Sequence, residues 1–327
     1  MARPKIDPVV WRAPRAGKPP RGSALPPLTV LPVGGKGTED VLVDAEGRVL
    51  TGVEDGRILR IADGAAEVVA DTGGRPLGLE FYPDGRLLVC DADRGLLLVD
   101  AANGEVEVLI PAGPNLRVCN NAAVADDGTV YFTNSTDRFD LEFWKADLLE
   151  HSGTGRLLRR DPDGSVHTLL SGLQFANGVA LAPDGSCVVV ADVWEYRLRR
   201  VWLTGERQGH ADVLAENLPA FPDNISTGSD GLLWIAMASP RDALVDLLLR
   251  TPPVLRKLLW RVPERLQPKE KRTVWARALD FATGAVVRDF RGAVPDFHMV
   301  TGVREHRGRV HLGSLEERAI AWFDLPR

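Results

Sequence analysis

Six times along the chain a polar residue leads into a glycine between two β-rich stretches, and this recurrence constrains the fold more than any other feature. The stretches are VLVDAEGRVLTGV around Gly47, LEFYPDGRLLVCD around Gly85, AAVADDGTVYFTN around Gly128, VALAPDGSCVVVAD around Gly185, ISTGSDGLLWIAM around Gly231 and VREHRGRVHLGS around Gly308. Asp-Gly between such runs signals a hairpin, because glycine takes positive φ at little steric cost. Most units continue into a second pair of strands, as in GRILRIADGAAEVVAD and TGRLLRRDPDGSVHTLL. The repeating unit is therefore a four-stranded antiparallel meander at the roughly 40–50-residue spacing of a propeller blade. The expected fold is all-β, a six-bladed β-propeller of four-stranded antiparallel blades with short helical insertions, forming one domain over residues 26–327. A sandwich also has many hairpins, but it does not repeat one four-strand unit six times.

Residues 1–25 read as a Pro-rich, basic, extended arm. Two insertions stretch the repeat, at residues 134–155 and 239–271. The first suggests a short helix near Phe143–Leu149. The second sets Leu, Val and Trp at helical spacing on pieces broken by Pro252, Pro253 and Pro263. Its expected form is short helices packed on the propeller, with Arg256, Lys257, Arg261 and Arg265 on a solvated basic face. A lid over the site, a subunit interface and a peripheral membrane contact through residues 239–271 are the alternatives.

Composition narrows the function classes. With 40 Lys plus Arg against 45 Asp plus Glu, the net charge of −5 argues against a nucleic-acid partner, which needs a basic stripe to neutralise phosphates. Cys90, Cys119 and Cys187 are dispersed and read as buried thiols rather than a zinc site. No stretch approaches the ~18 apolar residues of a membrane span. The N-terminus lacks the apolar region of a secretory signal, so a cytoplasmic location is expected. The expected partner is a small-molecule substrate, with the protein a monomer or homodimer.

Four units carry an oxygen-bearing side chain at one shared position, roughly eight residues before the hairpin glycine. These are Glu39, Asn120, Asn177 and the pair Asp223-Asn224. A propeller brings the starts of its innermost strands together at one end of the central channel. Convergence there supplies hard oxygen ligands with two formal negative charges, the donor set that suits Ca2+ rather than zinc or iron.

The chain resembles the calcium-dependent six-bladed propeller superfamily of gluconolactonase/regucalcin, the paraoxonases and the strictosidine-synthase-like proteins. The phrases CNNAAVADDGTVYFTNS, TGRLLRRDPDG, FANGVALAPDG, NLPAFPDNIS and VTGVREHRGRVHLGSL are most similar to the strictosidine-synthase-like branch. The resemblance implies that Glu39, Asn120, Asn177, Asp223 and Asn224 hold a catalytic calcium. It also matches Asp40 to a ligand of a second, structural calcium, but Asn121 stands where a further carboxylate is expected. Leu77 and Ala92 occupy the positions of the paraoxonase histidine pair, and Thr301 that of the essential strictosidine synthase glutamate.

The expected function is a calcium-dependent hydrolase of a lactone or aryl ester, the ion polarising the carbonyl and stabilising the oxyanion. Asp223 is the candidate ligand and general base, and His298, just before the last inner strand, is the second candidate base. The remaining histidines read as turn or outer-strand residues. Phe139, Trp194, Phe221 and Phe297 are candidates for the apolar walls around a substrate. The alternatives are a strictosidine-synthase-like lyase or cyclase, against which Thr301 counts, and a non-catalytic calcium-stabilised binding propeller.

Overall fold

The computed structural model describes residues 3–17, 22–263 and 270–326. Its strands form six antiparallel sheets arranged as a β-propeller. The strand nearest the axis is Leu42–Val43 in blade 1, Pro76–Phe81 in blade 2 and Cys119–Val124 in blade 3. In blades 4 to 6 it is Ala176–Leu181, Ala220–Thr227 and Val300–His306. Each runs through a tight turn into the second strand of its blade, and the turn glycines Gly47, Gly85, Gly128, Gly185, Gly231 and Gly308 all have positive φ.

The ring is closed by strands from before the first blade. Thr29–Pro32 supplies the outermost strand of blade 6, with Thr29 opposite Trp322 and Pro32 opposite Ala319. Ser23–Ala24 adds a parallel fifth strand to blade 5, beside Val286–Gly292. The first described strand therefore lies inside what reads in sequence as an extended arm.

The core is not one mass but a wedge between each pair of neighbouring blades. Leu50 and Ile58 of blade 1 meet Leu79 and Leu87 of blade 2, and Val41 and Leu59 meet Ile320 of blade 6 across the closure. Because blades are buried on both faces, their second strands read as near-continuous apolar runs such as LLVCD and CVVVAD. Cys90, Cys119 and Cys187 are buried free thiols within these wedges.

Both insertions lie at one end of the ring. The first forms a 3-10 turn, Leu141–Phe143, running into a helix, Trp144–Glu150 (α1). The second forms Ala243–Leu249 (α2), capped by Asp242 accepting from Leu244 N, and Pro253–Trp260 (α3), with Pro253 in the first turn. The N-terminal arm is strapped along them through its backbone carbonyls. Trp260 Nε1 donates to Pro4 O, Arg256 to Val9 O, Arg250 to Ala13 O and Arg241 to Pro14 O, at 2.7–3.0 Å.

The expected solvated basic face of the second insertion forms only in part: Lys257 and Arg261 are exposed, but Arg256 is not. Arg256 is fully buried, donating to Leu149 O and Val9 O, whereas Leu255 and Leu258 beside it point to solvent. Two backbone carbonyls, from α1 and from the arm, lie on the inner side of α3, and a guanidinium satisfies both where a leucine could not. Arg265 lies outside the described residues.

Candidate metal centre and substrate pocket

In blades 3, 4 and 5 the shared position coincides with a β-bulge, whereas Glu39 precedes the short inner strand of blade 1. In blade 3, Cys119 pairs with Asn134 and Ala122 with Phe132, so Asn120 and Asn121 face a single partner residue. The same two-against-one arrangement falls at Asn177-Gly178, at Asp223-Asn224, at Leu77-Gly78 and at Thr301-Gly302. A bulge re-aims side chains and releases backbone groups from the ladder. Here hydroxyls take up carbonyls beside the site: Thr133 Oγ1 donates to the bulged Asn177 O (2.8 Å), and ahead of the blade 1 inner strand Thr51 Oγ1 donates to Asp40 O (2.6 Å) and Thr301 Oγ1 to Glu39 O (2.9 Å).

Glycine at the second bulge position lets neighbouring inner strands touch. A Cβ on Gly178 would stand 2.2 Å from Ile225 N and 2.6 Å from Asn224 Cα. These bulge glycines were missed by sequence reasoning, although Gly78 and Gly178 each follow directly on a position eight residues before a turn glycine.

Glu39, Asn120, Asn177 and Asp223 are buried and line one pocket; Asn224, also buried, adjoins them by donating to Glu39 O (3.4 Å). Their amides are committed as donors: Asn120 Nδ2 to Ser135 Oγ and Asn177 Nδ2 to Asp223 Oδ1, both at 3.0 Å. This leaves Glu39 Oε2 and the Oδ1 atoms of Asn120, Asn177 and Asn224 buried without any hydrogen-bond partner. Each such orphan costs about 1–3 kcal/mol, so four around one pocket is a donor set in want of a cation.

The electrostatics agree. Burial pushes the Glu39 carboxyl up to about 7, offset in part by the Arg75 guanidinium. Burial, then the nearby Glu39 charge, holds Asp223 well above the carboxylate range. Two carboxylates in one dry site repel unless a positive charge lies between them. Among the described residues no cluster of three or more His, Cys, Asp or Glu side chains forms, so a cation here would take much of its coordination from amide oxygens. That is chemistry for Ca2+, not zinc.

Asp40 is placed differently. Its Oδ1 accepts from Val41 N (2.9 Å), and its Oδ2 from Leu79 N (3.1 Å) and Asn121 Nδ2 (3.3 Å). Asn121 Oδ1 in turn accepts from Val179 N (2.9 Å). The pair links blades 1 to 4 by hydrogen bonds, and both carboxylate oxygens are already satisfied.

The remaining lining is apolar. Trp194 and Phe221 stand edge-to-face in the pocket wall, with Trp194 Nε1 donating to buried Asp147 on α1. Leu141, Trp144, Phe175 and Met299 join them, and α2 contributes Leu244, Val245 and Leu248 to the rim. Phe139 and Phe297 do not line it: Phe139 packs under α1 with Ile6 and Trp260, and Phe297 lies in the wedge between blades 5 and 6. Nor does His298, whose Nδ1 contacts Glu317 and whose ring faces Arg272 outside the pocket. Leu77 and Ala92 pack with Val118 in a small apolar cluster behind Leu141.

Comparison with known proteins adds to this geometry. The family model described as strictosidine synthase matches residues 120–206, and that for the strictosidine synthase-like N-terminal region matches residues 23–61. Adipocyte plasma membrane-associated protein of Salmo salar is 32% identical over 312 residues, covering 85% of this chain and 73% of that protein. The chain belongs to the strictosidine synthase-like family. Solved structures extend the likeness at the level of fold. A gluconolactonase of Xanthomonas campestris superposes with a TM-score of 0.66 at 17% identity, covering 99% of both chains. Regucalcin of Agrobacterium tumefaciens, a calcium-binding protein, gives 0.64 at 15% identity over 93% of this chain and 96% of its own. In this strictosidine synthase-like chain Thr301 spends its hydroxyl on Glu39 O, so it fixes the site's backbone rather than supplying an acid.

Proposed function

We propose that the protein is a calcium-dependent hydrolase of a lactone or ester. The observation that carries the reading is the set of four buried oxygens without partners, contributed by four blades around one apolar pocket. Glu39, Asn120, Asn177, Asp223 and Asn224 would hold the ion. When bound, calcium supplies Lewis-acid polarisation of a carbonyl and stabilisation of the negative charge that develops on its oxygen.

The chain's own residues do the rest. Asp223 Oδ1 accepts from Asn177 Nδ2 and Asn224 N, which fixes the carboxylate and leaves Oδ2 without a protein donor among the described residues. Oδ2 is the atom to take a proton from an attacking water. Trp194 and Phe221 seat the apolar part of the substrate and exclude bulk water from the carbonyl. Support also comes from structural neighbours that include a gluconolactonase.

The test is hydrolysis of a panel of lactones, phenyl acetate and phosphotriesters, with and without EDTA. Turnover of at least one lactone or carboxylic ester is expected, abolished by EDTA, restored by calcium and reduced at least 100-fold in Asp223→Asn. Activity indifferent to EDTA contradicts the reading. Calcium binding without turnover of any substrate would instead support a binding propeller.

A further inference from the structure

Helix α3 is turned inside out. Its sequence, PVLRKLLW, buries Arg256 and Trp260 against the protein and leaves Val254, Leu255 and Leu258 at 58%, 47% and 53% exposure. Helix α2 adds Leu244 and Leu247 at 49% and 58%. A globular helix normally does the reverse, and single exposed leucines need no explanation whereas a contiguous face does. Of the large hydrophobic side chains most exposed to water among the described residues, these five lie on two successive helices of one hairpin.

Three more observations specify what covers this face. The exposed charges between residues 243 and 263 are Arg250, Lys257 and Arg261, with Lys257 paired at 2.9 Å to the exposed Asp7 of the arm, and the one acidic residue within that stretch, Asp246, is buried and paired with Arg241. The surface is thus basic on a chain whose net charge is −5. Leu244 belongs both to the exposed face and to the pocket rim, together with Val245 and Leu248. Finally, no described helix is long and apolar enough to cross a bilayer. Short helices with leucines on one side and Lys/Arg beside them lie in the interface instead.

We propose that α2 and α3 seat the protein on an anionic lipid bilayer, with Leu247, Val254, Leu255 and Leu258 entering the headgroup–acyl boundary and Arg250, Lys257 and Arg261 meeting lipid phosphates. The pocket rim then lies at the membrane surface, and an apolar substrate passes from lipid into the site without crossing water. The arm holds the hairpin at that angle, through Arg256 on Val9 O and Arg250 on Ala13 O.

The experiment is co-sedimentation of the full chain with phosphatidylcholine vesicles containing 30% phosphatidylglycerol, as a probe composition on the order of natural anionic content. It needs no substrate, so its outcome is independent of the hydrolase reading. Wild type is expected to pellet with these vesicles, and Leu255→Ser/Leu258→Ser to bind at least tenfold more weakly at unchanged melting temperature. Lys257→Glu/Arg261→Glu should lose binding to anionic vesicles as well, and raised salt should weaken wild-type binding. Wild type remaining in the supernatant overturns the proposal. So does a concentration-dependent dimer in sedimentation velocity that the leucine variant abolishes, because the face would then belong to a second copy.

Discussion

At the scale of single residues, the site is a set of side chains whose donors are used and whose acceptors are not. Asn120, Asn177 and Asn224 each direct an amide N–H to a protein oxygen and leave a carbonyl oxygen buried and unpaired. Glu39 adds a buried charge, which is expensive without a counter-ion. Replacing it by an isosteric amide removes that penalty and removes a ligand, so the sign of the effect depends on calcium. Glu39→Gln is expected to melt no lower than wild type in EDTA, yet to gain several degrees less on adding saturating calcium. Differential scanning calorimetry in the two buffers measures both. A melting temperature in EDTA well below wild type contradicts the idea of an unneutralised charge.

The convergence of these side chains was legible in the sequence because the repeat numbers them: Glu39, Asn120, Asn177 and Asp223 each lie eight residues before a turn glycine. The same count in blade 2 reaches Leu77, and in blade 6 the bulge falls one residue late at Thr301, whose hydroxyl is spent on Glu39 O, so four blades and not six present unpaired oxygens. The pocket walls were not legible in the same way. Phe139 and Phe297 are as aromatic as Trp194 and Phe221, and only the packing of α1 and of the blade 5–6 wedge decides which ring reaches the pocket. His298 stands in sequence next to Met299, which does line the pocket, but its ring turns to Glu317.

At the scale of elements, the bulge is what turns an inner-strand side chain toward the pocket. Two residues against one at Asn177-Gly178 aim the Asn177 side chain at the pocket, while the glycine lets the strand of blade 5 close in behind. A methyl group on Gly178 meets backbone atoms that cannot rotate away, so Gly178→Ala should lower stability by about 2–4 kcal/mol. It should also weaken calcium affinity at least tenfold through displacement of Asn224. Chemical denaturation and calcium titration of the variant test this, and a variant of unchanged stability and affinity would show that the close approach is not needed. The helical insertions were readable as helices from their spacing and prolines. Their facing was not, because it depends on Leu149 O and Val9 O demanding a cationic donor from the inner side of α3.

At the scale of the whole molecule, the closing strand Thr29–Pro32 joins the two ends of the chain in blade 6 and makes the ring one cooperative body. Six wedges of apolar side chains hold the blades, and the candidate ligands come from blades 1, 3, 4 and 5. A cation bound there ties together segments almost two hundred residues apart, so its binding energy adds to the stability of the ring. Asp40 and Asn121 already link the same strands by hydrogen bonds, so the account calls for one ion and not two. Calorimetric titration of Ca2+ into the EDTA-stripped full chain tests this most directly. One saturable site per chain, lost in Asn120→Ala/Asn177→Ala, is the predicted result, and the absence of any saturable calcium site would contradict it.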